Sequence, residues 1–198
     1  MSHYFTNQSN TKSKPKVIKA YFPFQDFDFV TDHGVFSKNT IDFGSRLLIT
    51  TAMHELPDGR MLDVGCGYGP IGIVLATLKP TQRMDMVDIN DRALALAKQN
   101  IVKNKVTNAE VFYSDMYQNI SEDYAMILTN PPVRAGKHTV HAMIEQAKEH
   151  LIQQGCLWVV LQVKQGAKSA QDKMQDVFGN VEIKAKDKGY VILRSQKL

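Results

Sequence analysis

Cysteine is scarce: Cys66 and Cys156 stand far apart and outside any Cys-x-x-Cys spacing. That pattern excludes a disulfide framework and a thiolate zinc site. His138 and His141 have no acid at ligand spacing, so no metal is expected. Long apolar runs are missing as well. No stretch approaches the roughly 20 residues that a membrane span needs, and the opening segment from Met1 to Gln8 lacks the apolar core of a secretion signal. A cytoplasmic chain with reduced thiols and no membrane contact is expected. Internal repeats are absent, and 198 residues suffice for one well-filled domain but not comfortably for two.

Acidic residues are missing from residues 1–20, which hold Lys12, Lys14, Lys16 and Lys19, so the whole net charge of +4 sits there. The polar, aperiodic stretch 1–16 reads as a flexible basic arm, with a single domain over 17–198. Beyond residue 163 basic residues again outnumber acids, so basic ends flank an acidic middle. Such ends suit a polyanionic partner or simply a solvated surface.

From Val17 to Thr31, the rings of Tyr21, Phe22, Phe24, Phe27 and Phe29 largely alternate with polar residues, which predicts a half-buried strand pair ending in a turn at Asp32-His33-Gly34. Residues 39–55 read as a helix capped by Asn39 or Thr40. Strands are expected at 83–88, 109–114 and 124–129. Helices are expected at 91–104, with the stripe Ala93, Leu94, Ala97 and Ile101, and at 139–152, with the stripe Val140, Met143, Ile144, Ala147 and Leu151. An almost wholly apolar strand at 156–163, a helix at 167–178 and an antiparallel pair at 181–184 and 190–194 complete the chain. The alternation predicts an α/β fold, an open, mostly parallel sheet with helices on both faces, a terminal antiparallel pair and a small N-terminal strand pair.

The most informative segment runs Arg60-Met-Leu-Asp-Val-Gly-Cys-Gly-Tyr-Gly-Pro-Ile-Gly72. Met61, Leu62 and Val64 suit a buried strand, Gly65, Gly67 and Gly69 allow a tight turn with close backbone approach, and a helix follows over 71–78. Such a loop holds a nucleoside-containing molecule. Gly67-x-Gly69-x-x-Gly72 also fits the dinucleotide fingerprint literally. A pyrophosphate on the helix N-terminus is nonetheless disfavoured by Asp63, the penultimate strand residue, and by Pro70 in the first helical turn. A cationic ligand is favoured, since Asp63 can take an ammonium directly or through water. S-adenosylmethionine, with its ammonium and sulfonium, is such a cofactor. Cys66, between two loop glycines, has a packing and backbone role. Asp88 closes the second strand at the spacing where an acid accepts from both ribose hydroxyls, the alternative being a cap for the helix starting at Asp91. Ile89 would then lie against the adenine.

Asn130-Pro-Pro-Val133 is the second signal. Two consecutive prolines fix φ, remove two N–H donors and hold Asn130 extended, leaving carbonyl groups free as acceptors. A ring-bound amine is a poor nucleophile because its lone pair is delocalised. Acceptors aimed at its two hydrogens favour pyramidalisation, and the Asn130 side-chain oxygen with the Pro131 carbonyl can supply them. Arg134 and Lys137 then place two cations after the prolines, suited to RNA phosphates or to plain surface.

The stretch Asp63-x-Gly65-x-Gly67-x-Gly69 resembles the first motif of class I S-adenosylmethionine-dependent methyltransferases, and Asn130-Pro-Pro132 resembles the Asn/Asp-Pro-Pro-aromatic motif of amino-group methyltransferases. With Gly34-Val-Phe-Ser37 and Asp42-Phe-Gly-Ser45, the chain looks like the branch containing small-subunit rRNA guanine-N2 methyltransferases, over roughly residues 20–195. The resemblance implies a doubly wound, Rossmann-like, seven-stranded sheet, and ribosomal RNA or the small ribosomal subunit as partner. It also implies that Asp115 accepts from the adenine amino group while a backbone N–H of its turn, at Met116, serves a ring nitrogen. Many relatives carry a further N-terminal domain of similar fold, and none is expected here. Val133 stands where an aromatic ring often stacks on the base; Pro132 and Val133 remain expected at the substrate, with Phe36 the candidate stacking ring. The rival readings are a protein glutamine methyltransferase, a non-catalytic S-adenosylmethionine- or RNA-binding module and, last, a nicotinamide oxidoreductase.

Overall fold

The structure is a computed structural model that describes residues 12–198. Two strands, β1 (Lys16–Phe22) and β2 (Gln25–Thr31), form a separate antiparallel pair. Residues 1–11 of the expected basic arm lie outside the described residues. Of the rest, Ser13 Oγ and the Lys14 N–H donate to the Asp32 carboxylate and Lys16 already opens β1, so the arm's last residues are tied to the domain.

Seven further strands form one sheet in the order β5-β4-β3-β6-β7-β9-β8. They are β3 (Met61–Val64), β4 (Met84–Asp88), β5 (Ala109–Tyr113), β6 (Tyr124–Thr129), β7 (Leu151–Gln162), β8 (Glu182–Asp187) and β9 (Tyr190–Gln196). All neighbours are parallel except β9, which runs against both β7 and β8. This is the doubly wound sheet with a terminal antiparallel pair that the alternation of elements predicts.

Period-two alternation in the buried strands divides the core in two. Met61, Met84, Met86, Leu128 and Trp158 face a layer made by β1, β2, α1 (Phe43–Ala52), α2 (Pro70–Leu78) and α3 (Asp91–Lys103). Leu62, Val64, Ile127, Leu157 and Val159 face α4 (Lys137–Ala147) and α5 (Ala167–Phe178). Among the described residues, no helix is long and apolar enough to cross a membrane.

Three boundaries differ from expectation. The first helix starts at Phe43, not near Asn39, because Asp42 is its cap: the carboxylate accepts from the Ser45 N–H at 3.1 Å. Leu151, the last member of the expected helical stripe, belongs instead to β7, where it pairs with Tyr124 and is still buried. Gln154 at φ 67° interrupts that strand before its apolar run begins. The eighth strand extends to Asp187.

A buried asparagine docks the N-terminal pair. Asn100, on the inner face of α3, accepts from the Val30 N–H at 2.7 Å and donates to the carbonyls of Val30 and Tyr68 at 3.0 and 2.9 Å. Asn104, one turn on, bridges both backbone groups of Asp28. Asn100→Ala strands three backbone polar groups and is expected to destabilise the protein by about 3 kcal/mol or more in urea unfolding, whereas the partly exposed Asn104→Ala costs about 1 kcal/mol. Equal, small losses in both would show that the strand pair docks by apolar contact alone.

Candidate functional site

Strands β3, β4 and β5 wind outward to one side of β3, while β6 and β7 wind to the other, so β3 and β6 meet where the strand order reverses. Ligands of open α/β sheets bind at the carboxyl ends of strands at such a point. Val64 pairs with Thr129, whose hydroxyl donates to the Val64 carbonyl at 2.8 Å, so the next residues, Gly65 and Asn130, leave the sheet side by side. A cavity of about 700 Å³ opens there.

One half of the cavity is built by the glycine loop and the ends of β4 and β5. Gly65 and Gly67 adopt φ 74° and 57°, and a Cβ on either would meet no atom within 4 Å, so bare backbone faces open space where a ligand can lie. Gly69 and Gly72 do other work. A Cβ on Gly69 would lie 2.8 Å from the Ile73 side chain of the helix it opens, and one on Gly72 would lie 2.2 Å from the Met86 sulfur, so the first serves the tight entry to α2 and the second helix-to-sheet packing. Asp88 accepts from the Gly67 and Asn90 N–H groups, each at 2.9 Å, and lines the cavity with Ile89, Asp115 and Met116. It does not cap α3; Asn90 does, accepting from the N–H groups of Arg92 and Ala93. The bare glycine backbone beside a wall carboxylate fits a ribose and its base. Burial pushes the Asp88 carboxyl up, against the pull of its backbone N–H donors.

Asp63, expected to take an ammonium directly or through water, lies behind the cavity wall and offers no direct contact there. Its side chain is fully buried, Oδ2 accepts from the Gly72 N–H at 2.9 Å, and it is not part of the cavity wall. Oδ1 is buried and has no hydrogen-bond partner among the described residues. Cys66 does line the cavity, but burial, helped by the charges of Asp88 and Asp63, holds its thiol well up, leaving it protonated and poorly nucleophilic.

The other half is built by the loop after β6 and the segment before α1. Asn130 Nδ2 donates to Asp42 Oδ2 at 3.1 Å and to Ser45 Oγ at 2.9 Å. Its Oδ1 accepts from no described residue, and Asn130 lines the cavity. The Pro131 carbonyl is not wholly free as the sequence suggested. With Pro132 at φ −73° and ψ 77°, an inverse γ-turn forms and the Val133 N–H donates to that carbonyl at 2.8 Å, leaving one lone pair. Pro132 and Val133 line the cavity, Val133 also packing on the α4 side of the core. Phe36 lines the mouth with 49% of its surface exposed, which is unlike a core ring. Its loop is tethered by Asn90 donating to the Gly34 carbonyl and Arg92 to the His33 carbonyl. Arg134 lies exposed at the rim; Lys137, also exposed, begins α4 outside the cavity wall.

Among the cavity residues not singled out for the site from the sequence are Asp42 and Ser45, the partners of Asn130, and Tyr190 and Gln162. Gln162 Nε2 donates to the Tyr190 hydroxyl at 2.6 Å, and that hydroxyl lies 3.5 Å from Asp42 Oδ1. No local motif marks Tyr190 or Gln162, which arrive from a remote segment, and the motif Asp42-Phe-Gly-Ser45 does not by itself tell of the contact with Asn130. Among the described residues no group of three or more His, Cys, Asp or Glu side chains could hold a metal.

The model of the methyltransferase small domain family matches residues 26–194. The chain is 43% identical to the uncharacterized protein YbxB of Bacillus subtilis (strain 168), over 99% of this chain and 98% of that protein. It is 32% identical to the ribosomal RNA small subunit methyltransferase C of Vibrio cholerae serotype O1 (strain ATCC 39541), over 83% of this chain but 48% of the relative, so it spans about half the length of that enzyme. Among solved structures, the T. thermophilus 16S rRNA N2 methyltransferase in complex with AdoMet and guanosine superposes with a TM-score of 0.84 at 20% identity, over 93% of this chain and 51% of that one. The chain belongs to the methyltransferase small domain family.

Burial pushes the Asp63 carboxyl up to about 7 from an ordinary 3.8, with the Gly72 N–H pulling it down and the Asp88 charge adding to the rise. A raised folded-state value means that between about pH 4 and 7 the folded protein holds a proton the unfolded chain has released. Stability therefore falls as pH rises through that window, by up to about 1.4 kcal/mol per unit. Asp63→Asn keeps an acceptor for Gly72 without the charge. In urea titrations from pH 4 to 8 the variant should show a flatter dependence and exceed the parent in stability at pH 8; parallel profiles would mean that Asp63 does not titrate there.

Proposed function

We propose that this member of the methyltransferase small domain family methylates an exocyclic amino group in RNA, with guanine N2 of small-subunit ribosomal RNA as the target, in the cytoplasm. The chain is an S-adenosylmethionine-dependent methyltransferase, and the cofactor supplies an electrophilic methyl group on its sulfonium. Asp88 and the bare backbone of Gly65 and Gly67 would hold the ribose end, with Ile89, Asp115 and Met116 around the base. Asp63 braces the loop from behind through Gly72.

The observation that carries the reading is Asn130: its NH₂ is already donated to Asp42 and Ser45, so the polar atom left for the cavity is an acceptor. Oδ1 can take one amine hydrogen and the remaining lone pair of the Pro131 carbonyl the other. Both bonds draw the nitrogen lone pair out of conjugation and aim it along the methyl–sulfur axis. Phe36 offers a half-exposed face for the target base, in place of the ring missing at position 133. Arg134 and Lys137, outside, suit phosphates. The V. cholerae relative, a small-subunit ribosomal RNA methyltransferase, and the T. thermophilus neighbour, a 16S rRNA N2 methyltransferase in complex with guanosine, support guanine as target.

Incubation with methyl-labelled cofactor and, separately, deproteinised rRNA, isolated small subunits and a protein extract tests the reading. Label should enter RNA and emerge as N2-methylguanosine after nucleoside digestion. Label on a glutamine amide would move the substrate to protein, and label on a ring carbon or ribose would contradict the acceptor geometry, because neither presents two N–H hydrogens. In calorimetry, Asp88→Ala should lose about 1.5–3 kcal/mol of cofactor binding if both ribose hydroxyls donate to that carboxylate. Unaltered affinity would remove Asp88 from the site.

A further inference from the structure

We infer that Asp42 is a positioning residue for the reaction: it locks the Asn130 amide with its oxygen toward the substrate, and it makes asparagine rather than aspartate the residue that position 130 requires. The inference rests on the reading of Asn130 as an amine acceptor and adds what sets its orientation. The two ends of an amide are nearly alike in shape, so only hydrogen-bond partners decide which end faces the cavity. Ser45 Oγ, 2.9 Å away, does not discriminate, since a hydroxyl both donates and accepts. Asp42 does. A carboxylate only accepts, so the group 3.1 Å from Oδ2 must be the NH₂ of Asn130, and the carbonyl oxygen is turned to the other side.

Asp42 is itself held. The same Oδ2 accepts from the Ser45 N–H and caps α1, while Oδ1 faces the Tyr190 hydroxyl, which Gln162 holds from the far side. The backbone next to Asp42 must be bare for this packing: a Cβ on Gly44 would lie 2.7 Å from the Tyr190 ring and 2.9 Å from Asp42 Oδ2. An aspartate at position 130 would set a second carboxylate 3.1 Å from the first. Two like charges that close cannot both stay ionised in their present places, so one takes a proton or the new side chain swings away. Either result removes the aligned acceptor. The Asn/Asp choice in Asn/Asp-Pro-Pro motifs is thus coupled, in this chain, to the charge at position 42.

The test compares the parent with Asp42→Asn, Asn130→Asp and the double variant, using the RNA or protein fraction that accepts label in the screen above, with calorimetry of S-adenosylmethionine and thermal unfolding of each protein. Asp42→Asn keeps an oxygen for both Ser45 and Asn130 but is no longer acceptor-only, so its kcat should fall by about three- to tenfold at unchanged Tm. Asn130→Asp should lose about a hundredfold or more in kcat with little change in KM or cofactor affinity. Adding Asp42→Asn removes one of the two charges and should restore at least about tenfold of that loss, a non-additivity that independent structural defects would not give. Near-parental kcat in Asn130→Asp, or a double variant no better than it, overturns the inference. Asn130→Ala, measured alongside, separates the two failures: full activity there sinks the acceptor role itself, whereas a large loss there with additive effects in the pair sinks only the role of Asp42. Should Asn130→Asp not fold, Asp42→Ser decides, because serine keeps the cap but can also donate. Its kcat should fall at least about tenfold at unchanged Tm, and an unchanged kcat refutes the positioning role.

Discussion

The parallel pairing of β3 with β6 is the contact on which the site depends. Both strands are buried on both faces, and their register, Val64 opposite Thr129, is set by which side chains enter which of the two apolar layers. Because winding proceeds in opposite senses from this pair, the chain beyond Val64 turns to α2 on one face and the chain beyond Thr129 to α4 on the other. The two loops must part, and the space between them is the cavity. A slip of one residue would invert the buried faces of a strand and separate Gly65 from Asn130, so the hydrophobic energy of the sheet is also what holds the acceptor beside the cofactor loop.

Three aspartates around that point show how burial and partners, not residue type, assign a task. Asp63 lies behind the loop, touches one backbone N–H and is driven by burial toward its neutral form. Asp88 stands on the cavity wall, with Oδ2 accepting from the Gly67 N–H and Oδ1 from the Asn90 N–H. Asp42 spends one oxygen on a helix terminus and on Asn130 together. The first braces, the second can bind and the third orients.

The elements and the two motif loops were legible in the sequence because each is written locally. Glycines with an acid before them, an asparagine before two prolines, and stripes of period 3.6 or 2 all state their structure within a few residues. What was illegible is what chain-distant segments do to one another. Asp42 belongs to a recognisable motif, Asp42-Phe-Gly-Ser45, but its task shows only when β6 delivers Asn130 to it. Tyr190 merely opens a terminal strand until β9 folds back beside β7. Asn100 sits in the same helical stripe as Ala93 and Ala97 and would be passed over as a polar interruption, yet it ties down β2. Leu151 satisfied the helical period by coincidence, since a buried strand residue is equally apolar. The loop prolines predicted free carbonyls; a γ-turn, which depends on ψ and not on φ alone, took up half of one.

Charge is sorted by depth at this site. Inside lie the carboxylates of Asp88, Asp42 and Asp115, which welcome a ligand bearing a sulfonium and an ammonium. Arg134 is exposed at the rim and Lys137 beyond the cavity wall, two cations whose sign suits a polyanion. On the proposed function, these opposite preferences act on one substrate, since a nucleotide carries its charge on the phosphate and none on guanine. The backbone is favoured outside and repelled from within, whereas the neutral base meets no such penalty on entry. On that function, a base held within the cavity of about 700 Å³ would have to leave its neighbours, which costs least in a loop or an unpaired stretch of RNA. The half-exposed ring of Phe36 at the mouth can replace part of the stacking that the base gives up. On the proposed function, unpaired and accessible bases would then be favoured by the depth of the acids, before any contact reads the sequence around the target.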